Sequence, residues 1–260
     1  MQSTDDTKDT SALKPRDALA EVILVDPITL PIAKALAKLE VHPLVITMLA
    51  FAFRIACACL FVLNHLALAA ICSIIGFYLD GIDGKVARIR HVDEDLHGAV
   101  DFLLDQVAFA TMGIGALIWA IYHGYNVPAV LIGSWLACYM VFMAFTSTWF
   151  RILSQSGISY GPGTQKSVFY DSISSSKHGA IIVSLEFIGR VHSGAMAKLE
   201  RFRTVPYFGP IESEVFIFMI APFFGFETVI VGLSIVFLVP DILTYFGLCL
   251  LHLTRARRLS

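Results

Sequence analysis

The sequence predicts an all-α, polytopic membrane protein, with six transmembrane helices and an amino-terminal interfacial helix. Three observations carry this prediction. Of the 260 residues, 57% are hydrophobic and 15% charged, where ordinary soluble domains run at about 45–50% and about 25%. The mean hydropathy is +0.73. The apolar residues also gather into runs close to the roughly 20 residues that a helix needs to cross about 30 Å of hydrocarbon. This composition excludes a disordered chain. A net charge of −2 with no continuous basic block excludes a nucleic-acid binder.

The elements follow in order. Residues 1–20 are polar and mixed in charge, with no basic start leading into an apolar core, and predict a mobile tail rather than a cleaved leader. In residues 21–42, Ile28, Leu30, Ile32, Leu36 and Leu39 form an imperfect helical stripe beside Lys34 and Lys38, the pattern of a helix lying at a membrane surface. Spans are expected at 43–63, 66–80, 98–122, 128–150, 211–226 and 228–253. Asn64-His65 and the stretch from His123 to Asn126 serve as turns. Residues 151–213 read as a Ser/Gly-rich loop followed by surface helix. The five cysteines all fall inside apolar runs without C-x-x-C spacing, and behave as small hydrophobes.

Charge placement orients the bundle. The short loops at 64–65, 123–127 and 225–227 carry no Lys or Arg. Of the 19 basic residues, all but Arg54 lie on the opposite side, in 1–42, 85–97, 151–213 and 254–260. The basic side faces the cytosol, which predicts cytosolic termini. Arg54 and Asp241 sit deepest in the spans. A charge at mid-bilayer needs a partner, so the two are expected to face the bundle interior and pair, directly or through polar groups, either as a clamp between the first and sixth helices or as part of the cavity.

The segment from Asp80 to Asp105, DGIDGKVARIRHVDEDLHGAVDFLLD, concentrates the chemistry. On helices, Asp80 and Asp83 lie about 60° apart, and Asp101 and Asp105 about 40° apart. Two antiparallel helices joined on the cytosolic side then aim four carboxylates at one point. Such a cluster repels itself at the membrane boundary unless cations neutralise it, and hard divalent ions such as Mg²⁺ take carboxylate oxygens while keeping sites for phosphate. A solvated acidic loop explains Asp93, Glu94 and Asp95, but not four acids at helical spacing among Ile, Val, Leu and Phe.

This segment resembles the signature of the CDP-alcohol phosphatidyltransferase family, D-x2-D-G-x2-A-R-x8-9-G-x3-D-x3-D. Asp80, Asp83, Gly84, Ala87, Arg88, Asp101 and Asp105 match in type and order, and the similarity covers roughly residues 27–253. Two positions depart from the pattern. His97 stands four residues before Asp101, where the family has glycine, and Gly98 comes one residue late. In HPLVIT, Pro43 and Thr47 match the family's P-N-x-x-T, but Leu44 replaces the asparagine.

The resemblance implies one transmembrane catalytic domain over 21–260, with the 151–213 segment and the active site on the cytosolic side. It implies transfer of a phosphatidyl group from CDP-diacylglycerol to a small polar alcohol, releasing CMP in phospholipid biosynthesis. Transfer of a phospho-alcohol from a CDP-linked small alcohol to a lipid acceptor is the alternative. By similarity, Asp80, Asp83 and Asp101 hold Mg²⁺ or Mn²⁺, as two ions, and Asp105 completes the site and takes the proton of the attacking hydroxyl. Gly84, Ala87 and Arg88 border the cytidine diphosphate, with His97 and Gly98 beside them. The partners implied are the CDP-linked donor, the alcohol, membrane lipids and a second copy of the chain in a homodimer. Lys177 and Arg190 are candidates for an acceptor or lipid phosphate, with contact to anionic headgroups as the competing reading. Glu212 and Glu214 either touch the acceptor or favour a helix amino terminus. Two other classes remain open on sequence alone: an ion-coupled transporter, whose intramembrane acids bind its ions, and an inactive family member marked by His97.

Overall fold

The computed structural model describes residues 12–13, 18–92, 94–123, 125–155 and 209–259, and among these every regular element is helical. Lys177 and Arg190, like the rest of 156–208, lie outside the described residues. A π-helical turn, Glu21–Val25, leads into α1 (Asp26–Lys38). Four long helices follow: α2 (Pro43–Val62), α3 (Leu66–Arg90), α4 (Glu94–Tyr122) and α5 (Asn126–Gln155). From Gly209 the chain forms α6 (Pro210–Glu214), a π-helical stretch Val215–Ile220 and a 3-10 turn Ala221–Phe224. The last helix, α7, runs Thr228–Leu259.

Among the described residues, five helices are long and apolar enough to cross a membrane: α2, α3, α4, α5 and α7. Their boundaries follow local chemistry. Proline opens α2 at Pro43, where no N–H is needed, and the His42 imidazole accepts the Leu44 N–H at 3.3 Å. The helix stops at Asn64, which adopts φ +63° and accepts the Trp119 indole N–H at 2.7 Å. The expected fifth span, 211–226, is not one α-helix. Pro222 lacks an N–H, and its ring meets the carbonyl four residues back, so the α pattern cannot pass through it. The chain widens into π turns before Pro222, tightens around it, and ends at Gly225 with φ +63°.

α1 packs on α3 through apolar residues, with Ala33, Leu36 and Ala37 clustered with Leu79, Ile82 and Val86, and through buried polar ones nearer its start. Ile28, Ile32 and Leu39 point outward, while Asp26, Thr29 and Ala33 are buried. Lys85 of α3, 2% exposed, meets Glu21 at 3.1 Å and Asp26 at 2.9 Å.

The bundle centre is aromatic. Phe61, Trp119, Trp135, Phe218 and Phe226 interlock, with Trp135 edge-on to Phe218 at 5.0 Å between ring centres. α2 and α4 meet backbone to backbone, because a Cβ on Gly115 would stand 2.6 Å from the Ala58 carbonyl oxygen. Ser213 locks the irregular segment in place: it accepts the Trp135 indole N–H and donates to the Ser234 carbonyl, both at 2.7 Å. That lock ties the segment to α5 and α7 and fixes where Glu214 lies.

Candidate active site

The two halves of the acidic motif sit on neighbouring antiparallel helices. α3 carries Asp80, Asp83, Gly84, Ala87 and Arg88; α4 carries His97, Gly98, Asp101 and Asp105. All nine line a cavity of about 460 Å³, with Arg54, Gln106, Phe109, Tyr139 and Glu214 on its further walls. The turn at His91, in the left-handed region with φ +50°, reverses the chain between the two halves.

Carboxylate oxygens of Asp80, Asp101 and Asp105 lie within 4.8 Å of one another. Asp83 lines the same cavity one turn away, 1% exposed, and interacts with Thr47 and the Gly84 amide. Its Oδ2 is buried with no hydrogen-bond partner. The convergence expected of four carboxylates is thus a tight group of three with a buried fourth beside it. In HPLVIT the Thr47 hydroxyl donates to the Pro43 carbonyl at 3.1 Å within α2 and is among the groups acting on Asp83, whereas Leu44 contributes an N–H to the His42 cap.

His97 is 5% exposed, and among the described residues neither ring nitrogen has a hydrogen-bond partner. Beside it, Gly98 faces open space. The Arg88 guanidinium donates from Nε to the carbonyl of Ala12 at 2.8 Å, so the amino-terminal stretch reaches this wall of the cavity.

The expected pairing of Arg54 with Asp241 does not form. The ion pairs of Arg54 are with Asp80 at 3.4 Å, with Asp105, and with Glu214 at 3.6 Å. Its depth and inward direction were legible, but its partners were not: Arg54 turns into the cavity and meets the motif acids and Glu214. The two glutamates before the irregular segment divide their roles. Glu212 accepts the Gly209 N–H at 2.8 Å and the Ala20 N–H at 3.1 Å, a structural cap. Glu214 faces the cavity. Gln106 and Tyr139 carried no signal in the sequence beyond their helical register.

A model of the CDP-alcohol phosphatidyltransferase family matches residues 40–240. The chain belongs to this family. CDP-alcohol phosphatidyltransferases are generally dependent on divalent metal, and the oxygen-only donor set of Asp80, Asp101 and Asp105, with the unpartnered Asp83 oxygen beside it, fits such an ion. With five helices able to cross a membrane, this CDP-alcohol phosphatidyltransferase family member is an integral membrane protein. The phosphatidylinositol phosphate synthase of Corynebacterium glutamicum is 29% identical over 109 residues, covering 42% of this chain. The match spans about half of that curated relative, 49% of its length.

Proposed function

We propose that this protein transfers a phosphatidyl group from CDP-diacylglycerol to a small polar alcohol with release of CMP, a step in phospholipid biosynthesis. One observation carries the reading: nine residues picked out by spacing and signature line a single cavity, with three carboxylates within 4.8 Å inside it. The bacterial relative's name denotes synthesis of a phosphatidyl product, the kind of lipid that this reaction makes.

Asp80, Asp83 and Asp101 hold two Mg²⁺ or Mn²⁺ ions in this proposal, with Asp105 completing the set. Bound ions neutralise the pyrophosphate and make its phosphorus a better electrophile. The chain's own residues do the rest. Gly84 and Ala87 keep one helix face bare for close approach of the nucleotide. Arg88 and the buried imidazole of His97 offer it hydrogen bonds, with Gly98 leaving space alongside. Asp105 accepts the proton of the alcohol as its oxygen bonds to the phosphatidyl phosphorus. The bond from that phosphorus to the bridging oxygen breaks, and CMP departs with the electron pair. Lys177 and Arg190 bind a phosphate of the acceptor or of lipid.

The same reading gives the chain six crossings, with the irregular Pro210–Phe224 segment as the fifth, and α1 at the interface. An even number of crossings puts both termini on one side, and the bias of Lys and Arg supports the cytosol as that side, with the active site on it. Residues 1–20 act as a tail on one catalytic domain of 21–260, and the protein works as a homodimer.

The test is product identity. Purified protein is given CDP-diacylglycerol or CDP-choline, each with mixed polar alcohols or diacylglycerol, and the lipids are read by mass spectrometry. Consumption of CDP-diacylglycerol with a new phosphatidyl lipid is expected. Consumption of CDP-choline alone would reverse the direction of transfer.

A further inference from the structure

Arg54 and Glu214 stand outside the signature, yet they sit against its carboxylates. Arg54 lies in the apolar run of α2 and is 2% exposed. Its stem is confined: a Cβ on Gly76 would come within 3.0 Å of the Arg54 Cγ, and the Phe109 ring centre is 5.0 Å from the guanidinium carbon. Its head is shared. Nη1 serves Asp80 and Asp105, and Nη2 lies 3.6 Å from Glu214 Oε1. The Arg54 Nε has no hydrogen-bond partner. One guanidinium therefore spans two claimants, the motif acids on α3 and α4 and a glutamate on the irregular segment that Ser213 anchors.

A carboxylate oxygen that accepts from a guanidinium is not free to ligate a divalent ion, and a fixed positive charge beside the ligands repels the ion. A second carboxylate on the far side of the same guanidinium pulls the other way. We propose that Arg54 and Glu214 are positioning residues that set metal loading: Arg54 competes with the divalent ion for Asp80 and Asp105, and Glu214 draws the guanidinium off them. The inference rests on the reading of Asp80, Asp101 and Asp105 as metal ligands.

The test is Mn²⁺ binding to the full-length protein in detergent, without substrate and at fixed pH, read from loss of the free-ion electron paramagnetic resonance signal. Asp101→Asn abolishes tight binding if the ligand reading holds; wild-type affinity in that variant would overturn the ligand reading itself. With that control in place, Arg54→Gln tightens Mn²⁺ binding about tenfold and Glu214→Gln weakens it about tenfold, the size of one close charge interaction screened by protein and water. In the double variant, loss of Glu214 has no further effect once Arg54 is gone, because Glu214 acts through it. Arg54→Lys keeps the charge and shortens the reach, so it tightens binding by less; it replaces Arg54→Gln if that variant does not fold. Parallel weakening by both single changes, no change in either, or an undiminished effect of Glu214→Gln without Arg54 would each overturn the proposal.

Discussion

Asp105 and His97 make different contributions to the proposed reaction, and substitutions separate them. Asp105→Asn keeps size and most of the packing but cannot take the proton. General-base catalysis is worth about 10²–10⁴ in rate, so at saturating Mg²⁺ kcat is expected to fall by at least that factor while donor affinity is retained; equal loss of both would make Asp105 a metal ligand or a structural residue and not the base. His97→Gly restores the family residue but removes a buried imidazole with two unpartnered nitrogens. A hydrogen bond to an ionised phosphate contributes about 1.5–3 kcal/mol, so donor affinity should weaken about tenfold or more, as measured by titration calorimetry. Unchanged affinity would remove His97 from the nucleotide site. Asp105 was legible as a cavity residue from its helical spacing to Asp101, whereas its proposed role and the interest of His97 came only through the family signature. Arg54 was only half legible: a charge in an apolar run announces a partner inside the bundle, but sequence does not give which groups it meets, here Asp105 and Glu214 instead of Asp241.

The long helices begin within a few residues of where the sequence places their spans, because Pro43 and the turn at Asn64 act locally, but α3 runs past the expected end at Asp80 to Arg90, where the left-handed His91 stops it. The segment from Pro210 to Phe224 was legible as apolar but not as broken, since hydropathy ignores how Pro222 forces a change of helix type. What holds that segment is a polar contact invisible to periodicity. Ser213→Ala removes the partner of the Trp135 indole and a donor to Ser234, leaving buried groups unsatisfied. The expected cost is about 1–3 kcal/mol, seen as a lower midpoint of thermal unfolding in detergent. An unshifted midpoint would mean that the lock is not stabilising.

At the scale of the whole molecule, the basic residues and the cavity imply one sidedness. Green fluorescent protein fused after Ser260 should fluoresce in cells, since it matures in the cytosol, and a fusion truncated at Gly124 should remain dark. The reverse pattern would invert the bundle and move the carboxylates away from a cytosolic donor. The central claim is that the carboxylate cavity performs metal-dependent transfer from a CDP-linked donor. Its most direct measurement is CMP release by purified protein from CDP-diacylglycerol and a mixture of polar alcohols, with Mg²⁺, with chelator, and for Asp101→Asn. The account predicts alcohol-dependent CMP in the first case and none in the other two; CMP release that survives both chelation and the loss of Asp101 would contradict it.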